Sequence, residues 1–341
     1  MTTKDKIASL EFARIIAMLA IIGLHCQMAL TYWQWDGIPW IGYLLNQFAR
    51  FGVPLFFVIS GYLIQPKLSQ DPITTLKNYA KPLVKIWLVW SLLSLLMPFQ
   101  WQTTAEAGYL AERMGYWGYL LMDPLNSLME GGLVHLWFLP ALLIAVAIIA
   151  LTVHTGLTAW MLPLAGALYV YGVLGGSYQT LTELPVPFFT RNGPFFSTLM
   201  VVLGYLARQQ QWQISRNNTI RLILIGMLLH LAEAYWLMSY EVPFNVHDFL
   251  FGTPLWAVGI FMWLLAHPNF GRMNWVLALS PSILGIYVSH LLVVIVMMNI
   301  AGMLALDGLV KDLFIYPATL VVTLLLVKGI EATRLKGLLL R

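Results

Sequence analysis

The sequence predicts an all-α integral membrane protein: about ten transmembrane helices around a polar cavity, with N- and C-termini cytoplasmic. Three observations carry that prediction. Of 341 residues, 60% are hydrophobic and 10% charged, against roughly 25% charged in soluble domains. Apolar runs near the length that spans a bilayer, about 20 residues, recur from end to end. The polar stretches between them alternate in their content of basic residues. This composition excludes a soluble enzyme, a nucleic-acid-binding protein and a disordered chain. The lone cysteine, Cys26, excludes an internal disulfide framework.

Ten spans follow, at 11–31, 46–65, 82–99, 133–152, 158–177, 193–208, 219–238, 249–266, 275–299 and 313–329. The first is a retained helix and not a cleaved leader, because Arg14 and His25 interrupt it and no small-residue cleavage site follows. The second carries Arg50, the sixth opens near Pro194, the seventh contains His230 and Glu233, and the eighth contains Pro254. Loops on the N-terminal side hold Lys4, Lys6, Lys67, Lys77, Lys81, Lys85, Arg208, Arg216, Arg221, Arg272, Lys328, Arg334, Lys336 and Arg341. The opposite loops hold Arg113, Arg191 and Lys311 with most of the acids, including Asp36, Glu112, Asp248 and Asp312. Basic residues concentrate on the cytoplasmic side, so both termini are expected there, in the cell (inner or plasma) membrane. The stretch 100–132, with Trp101, Tyr109, Tyr116, Trp117 and Tyr119, suits an interfacial lid, a re-entrant segment or plain interfacial anchoring. With no repeat, low-complexity tract or soluble domain, residues 1–341 read as one transmembrane domain.

Ionisable side chains inside spans are costly and commonly mark a wet cavity or a functional path. Arg14 and His25 are eleven residues apart, which on a helix places them within about 20° of one another and about 16 Å apart along the axis. Arg14 is thereby expected near the cytoplasmic face and His25 beyond the midplane. Read by depth, His290, Glu233, His135 and Arg50 fall at or just above the level of His25, which predicts a polar chamber in the outer half of the membrane. The plainer alternatives are a snorkelling Arg14 and a His25 that packs helices. Histidine suits proton transfer near neutral pH, and Glu233 would orient or charge-balance an imidazole. Three histidines can hold zinc, but His25, His135 and His290 lack helical spacing, so no metal is expected.

Four segments together carry a resemblance: Leu10–His25 (LEFARIIAMLAIIGLH), Arg50–Leu63 (RFGVPLFFVISGYL), His135–Leu143 (HLWFLPALL) and Ser282–His290 (SILGIYVSH). In this order they resemble the membrane acyltransferase-3 family, whose members O-acylate surface polysaccharides and other extracytoplasmic acceptors. The resemblance implies that Arg14 and His25 are the essential pair of the first helix. It places Arg50, Ser60, Gly61 and Tyr62 in the second-helix motif, His135 and Trp137 in the fourth and Tyr287 and His290 in the ninth. Many members carry an acidic or amide residue directly before the arginine, whereas here Ala13 precedes Arg14 and the acid is Glu11.

The resemblance also implies a cytoplasmic acyl-CoA donor, usually acetyl-CoA, as co-substrate, with no permanently bound cofactor. The other partners expected are an extracytoplasmic glycan or lipid-linked saccharide acceptor and membrane lipids, with no nucleic acid. On this reading Arg14, with Lys77, Lys81 and Lys85, holds the CoA phosphates. His25 is general base or acyl carrier, Glu233 supports the chemistry, and Arg50, Ser60, His135, Trp137, Tyr287 and His290 bind substrate. Arg50 or Tyr287 would also serve as oxyanion donors. The alternative is an exporter or flippase for a surface polysaccharide or lipid-linked glycan, which needs the same helices and polar cavity.

Overall fold

The structure, a computed structural model, describes residues 7–340. It is helical where apolar runs and proline punctuation predict. The helices are α1 Ala8–His25, α2 Trp40–Ala49, α3 Gly52–Gln70, α4 Pro72–Leu96, α5 Trp101–Ala107, α6 Tyr109–Met122, α7 Pro124–Glu130, α8 Phe138–His154 and α9 Met161–Leu174. There follow α10 Gln179–Thr182, α11 Pro194–Gln209, α12 Arg216–Leu237, α13 Thr253–Ala266, α14 Asn274–Leu279, α15 Ile283–Met303, α16 Gly308–Glu331 and α17 Lys336–Leu339. Prolines open α4, α7 and α11, where a missing N–H costs nothing. Asp123 and Ser215 cap α7 and α12 by accepting from Asn126 N and Asn218 N.

All ten expected spans fall on helices, but length and composition single out seven among the described residues as able to cross a membrane. These are Ala8–His25, Trp40–Gln70, Pro72–Leu96, Val134–His154, Arg216–Tyr240, Asn274–Met303 and Gly308–Glu331. The apolar runs at α9 and α13 form helices of 14 residues, and α11 has 16. At 1.5 Å per residue these fall short of a hydrocarbon core of about 30 Å. Boundaries also move. The first helix stops at His25 and not near 31, and the third span begins ten residues early, at Pro72. Lys77, Lys81 and Lys85 are therefore exposed helical residues of α4, spaced i, i+4, i+8, and not loop residues.

The chain folds as two compact units. The first comprises the chain up to Ile21, with 47–81 and 141–281. Its tightest crossing is α3 on α11: a Cβ at Gly61 would lie 2.0 Å from Val201 O, and one at Gly204 would lie 1.9 Å from Val58 O. Small residues let helix backbones approach this closely where lipid supplies no hydrophobic drive. Gly226 serves the α12–α13 pair in the same way, 2.2 Å from Trp256 N. Ser9 ties the start of α1 to Leu264 O at 2.7 Å.

The second unit comprises 22–46, 82–140 and the chain from Ser282. Here α15 packs on α16. Asp312, expected in an outer loop, is buried near the start of α16 and accepts Ala29 N at 2.6 Å and Tyr32 OH at 2.7 Å. That contact organises the turns after His25, where Gln27, Ala29 and Trp33 adopt positive φ. The stretch 100–132 forms α5, α6 and α7 around an ion pair inside the fold: Arg113 is fully buried and its guanidinium meets Glu112.

Candidate functional site

Three histidines from separate segments meet in the second unit. His25 ends α1 half-buried, and its ring centroid lies 5.2 Å from that of His290 on α15, tilted by 50°. His290 lies 5.0 Å from His135, edge to face at 83°. His135 belongs to a 3₁₀ turn, Val134–Trp137, that leads into α8. His135 and His290 are both buried, at 2% and 0% exposure.

Backbone carbonyls orient the two buried rings. His290 Nδ1 lies 2.6 Å from Tyr287 O, three residues back on the same helix. His135 Nε2 lies 3.1 Å from Val288 O. Tyr287 closes the arrangement, because its hydroxyl donates to His135 O. Its ring packs 5.3 Å from Phe138 and 5.6 Å from His135. Trp137 is half-buried beside Phe138, with ring centroids 6.4 Å apart. Tyr287 is thus committed to the backbone of the turn and is not an oxyanion donor in this arrangement.

The first unit holds Arg14, Arg50, His230 and Glu233, the other ionisable groups expected inside spans. Arg14 Nη1 pairs with Glu11 across 3.0 Å, one helical turn away, and retains 25% side-chain exposure. The displaced acid therefore still balances the arginine, at i,i+3 instead of i,i+1. Arg50 bonds Asp248 Oδ1 and, at 3.1 Å, Asn245 O, while Arg191 meets the other oxygen of Asp248 at 3.1 Å. Burial pushes the Asp248 carboxyl up, but the Arg191 and Arg50 guanidiniums outweigh it and hold it below its usual 3.8. His247, next to it in the loop, is lowered to about 4 by burial and by the charge of Arg50.

Glu233 departs from its expected role. Its carboxylate accepts Tyr178 OH at 3.1 Å and Gly252 N at 3.0 Å, so it anchors the loop before α13, and among the described residues its hydrogen bonds go to no imidazole. Burial and the Glu233 charge together raise the Tyr178 phenol. His230, which shares the α12 interior, is fully buried and bonds Gln47 Oε1 at 2.7 Å and Thr253 Oγ1 at 2.9 Å. Ser60 donates to Phe56 O at 2.7 Å, four residues back, a common helical bond for serine. Its proton is thereby committed to the helix backbone.

The expected substrate groups thus separate by unit. His25, His135, Tyr287 and His290 form one cluster, with Trp137 at its edge, whereas Arg50 and Glu233 organise loop 241–252 of the first unit. Sequence reading missed Asp248, Arg191, Gln47 and Asp312 as buried or shared polar partners. The excess of acids it saw in those loops was the available signal. Of the basic stripe, Lys85 donates to Gly337 O, and Lys77 and Lys81 are exposed. Among the described residues, no group of three or more His, Cys, Asp or Glu is arranged to hold a metal ion.

Comparison with known proteins follows the same residues. The family model described as an acyltransferase domain matches residues 7–328. The chain is 28% identical over 259 residues to a serine/alanine racemase of Enterococcus gallinarum, covering 70% of this chain and 34% of that protein. Two amino-acid racemases of Enterococcus faecalis are each 23% identical, over 285 and 316 residues, covering 78% and 87% of this chain and 37% and 42% of theirs. The matched region spans less than half the length of each of these relatives. No solved structure matches the chain. With the family match running through nearly all the helices described above, this multi-pass helical membrane protein belongs to the acyltransferase-3 family.

Proposed function

We propose that the protein moves an acyl group, acetyl in the first instance, from cytoplasmic acyl-CoA to a hydroxyl of an extracytoplasmic surface glycan. The observation that carries this reading is the cluster of three imidazoles, at centroid separations of 5.2 and 5.0 Å, in a chain of the acyltransferase-3 family. Acyl transfer from a thioester needs a group that takes the acceptor's proton or carries the acyl group itself, and neutral imidazole does either near pH 7. His25 is that group, because it is the half-buried member of the cluster. Arg14 lies eleven residues earlier on the same helix, about 16 Å along the axis. It meets the CoA phosphates from the cytoplasmic side, and Lys77 and Lys81, exposed one turn apart on α4, add point charges. Lys85 continues that stripe.

The racemase names of the relatives favour one other acceptor class, an amino acid such as serine, whose hydroxyl is the same kind of nucleophile.

The test uses the purified full chain in liposomes with labelled acetyl-CoA and, in parallel, a glycan extract or serine. Wild type should release CoA and label one acceptor, and His25→Ala should lose at least about a hundredfold in rate, the lower end for a general base. Arg14→Ala should raise KM for acetyl-CoA. Label retained on protein would mark His25 as an acyl carrier. A wild-type protein that consumes no acetyl-CoA yet moves glycan across the bilayer is an exporter, and that result would overturn the proposal.

A further inference from the structure

His290 stands among the expected substrate-binding residues, but its surroundings suit a different task. The ring is wholly buried, whereas His25, in contact with it, is half-buried. A ligand that reaches the cluster meets His25 first. The hydrogen-bond pattern then settles the tautomer: a carbonyl only accepts, so the 2.6 Å contact with Tyr287 O puts the proton of neutral His290 on Nδ1 and leaves a lone pair on Nε2. That Nε2 is buried and bonded to no protein group. The same logic at His135, whose Nε2 donates to Val288 O, leaves a lone pair on Nδ1, also buried and without a protein partner.

Buried polar atoms are almost always hydrogen-bonded, and an unmet one costs roughly 1–3 kcal/mol. Two unmet lone pairs on adjacent rings are therefore a costly arrangement that calls for an explanation. Of the two hydroxyls nearest on α15, that of Tyr287 is committed to His135 O and that of Ser289 to Gly285 O. The proton-bearing ring packed on His290 from the accessible side is His25. A centroid separation of 5.2 Å is about that of two imidazoles joined nitrogen to nitrogen by a hydrogen bond. Catalytic hydrogen bonds commonly tighten only once substrate is bound.

We propose that His290 is the proton partner of His25, a positioning residue that acts through His25 and does not touch substrate; the proposal rests on the acyl-transfer reading above. When the acceptor hydroxyl attacks the thioester carbon, the new C–O bond forms and His25 takes the hydroxyl proton on one nitrogen. The proton on its other nitrogen passes to His290 Nε2. Collapse of the tetrahedral intermediate breaks the C–S bond. The proton returns through His25 to the thiolate, leaving free CoA and two neutral imidazoles. His290 thus differs from the carboxylate behind the histidine in many hydrolases, which stabilises the imidazolium without taking its proton. His135 packs against His290, and Tyr287 holds the His290 ring through its carbonyl and the His135 main chain through its hydroxyl.

The experiment compares wild type, His25→Ala, His290→Gln and His290→Gly in liposomes, with acetyl-CoA and whichever acceptor wild type labels. His290→Gln should lower kcat by about tenfold to a hundredfold while KM for acetyl-CoA and acceptor stays within about twofold, the pattern of a lost proton-transfer contribution. Added imidazole should restore His290→Gly by about tenfold, and pyrazole, of the same shape but far less basic, should not. Equal rescue by pyrazole would reduce His290 to a packing residue. A raised KM with unchanged kcat would return it to substrate binding, and an unchanged His290→Gln would remove it from the reaction; each of the three overturns the proposal. If His290→Gly does not fold, the kcat and KM of His290→Gln decide alone. Wild type indistinguishable from His25→Ala would overturn the acyl-transfer reading and this proposal together, an outcome separate from an active wild type with unaffected His290 variants.

Discussion

The Glu112–Arg113 pair offers the sharpest test of how the second unit is held together. Arg113 is fully buried and Glu112 is 6% exposed. The carboxylate accepts Arg113 Nη2 at 2.6 Å and Nε, together with the backbone amides of Phe99 at 2.9 Å and Gln100 at 3.2 Å. The guanidinium also donates to Ser94 O at 3.3 Å and lies 4.5 Å from the Phe99 ring centroid and 5.0 Å from that of Tyr116. One pair thus joins the end of α4, the following turn and α6.

Glu112→Gln keeps an oxygen for the two amides but leaves a buried guanidinium without its counter-charge. Breaking such a pair costs about 3–5 kcal/mol. At roughly 2–4 °C per kcal/mol for a chain of this size, the unfolding midpoint should fall by about 6–20 °C. The double variant Glu112→Gln, Arg113→Met removes both charges and should recover most of that loss, since apolar replacements of buried pairs are often neutral. The assay is thermal unfolding of purified protein in detergent, with wild type, Glu112→Gln, Arg113→Met and the double variant arranged as a double-mutant cycle. Acid dependence adds a second readout. The hydrogen bond from Arg113 is the largest influence on Glu112 and, with the amides, holds its carboxyl below the usual 4.5 despite burial. A carboxyl lowered on folding contributes stability that is present above its unfolded value and lost as pH falls through the folded one. Wild type should therefore lose stability below about pH 4, and Glu112→Gln should lose less. A Glu112→Gln midpoint within about 2 °C of wild type, with unchanged acid dependence, would refute the burial and pairing described here.

Two further outcomes follow from the packing. Gly61→Ala or Gly204→Ala forces a methyl to within 2.0 or 1.9 Å of a facing carbonyl oxygen, so either should abolish monodisperse protein on size-exclusion chromatography. Gly329→Ala, on α16 with nothing within 4 Å, should leave the profile unchanged or improve stability slightly by helix propensity. Asp312→Asn weakens the anchor on Ala29 N and Tyr32 OH. Burial, with the Asp312 bond and charge, pushes the Tyr32 phenol up to about 12, so in Asp312→Asn ultraviolet difference titration should find one tyrosine ionising at lower pH. Tyr32→Phe should abolish that step.

Helix positions were largely legible in the sequence because they depend on local properties. Apolar runs, helix-opening prolines such as Pro194 and the two first-helix residues Arg14 and His25 are visible without knowing what lies opposite. The family, too, is written in short segments, from Leu10–His25 to Ser282–His290. The helix ends were less legible. The turns after His25 are tied to Asp312, 283 residues from Ala29 in the chain, and no window of 20 residues contains that contact.

The polar residues show the same division more sharply. Depth counting along each helix ranked Arg50, Glu233, His135 and His290 alike, because depth is a one-dimensional coordinate. The tertiary structure separates them by partner: Asp248 for Arg50, Tyr178 and the Gly252 amide for Glu233, and one another for the histidines. Which nitrogen of His290 carries the proton follows from a carbonyl at 2.6 Å. The sequence by itself determined that the chain is helical, membrane-embedded and a member of its family, since hydrophobicity and short motifs are additive along the chain. Only the tertiary structure decided which charges neutralise each other and which imidazoles meet, because hydrogen bonds and ring contacts act over a few ångströms between segments far apart in sequence.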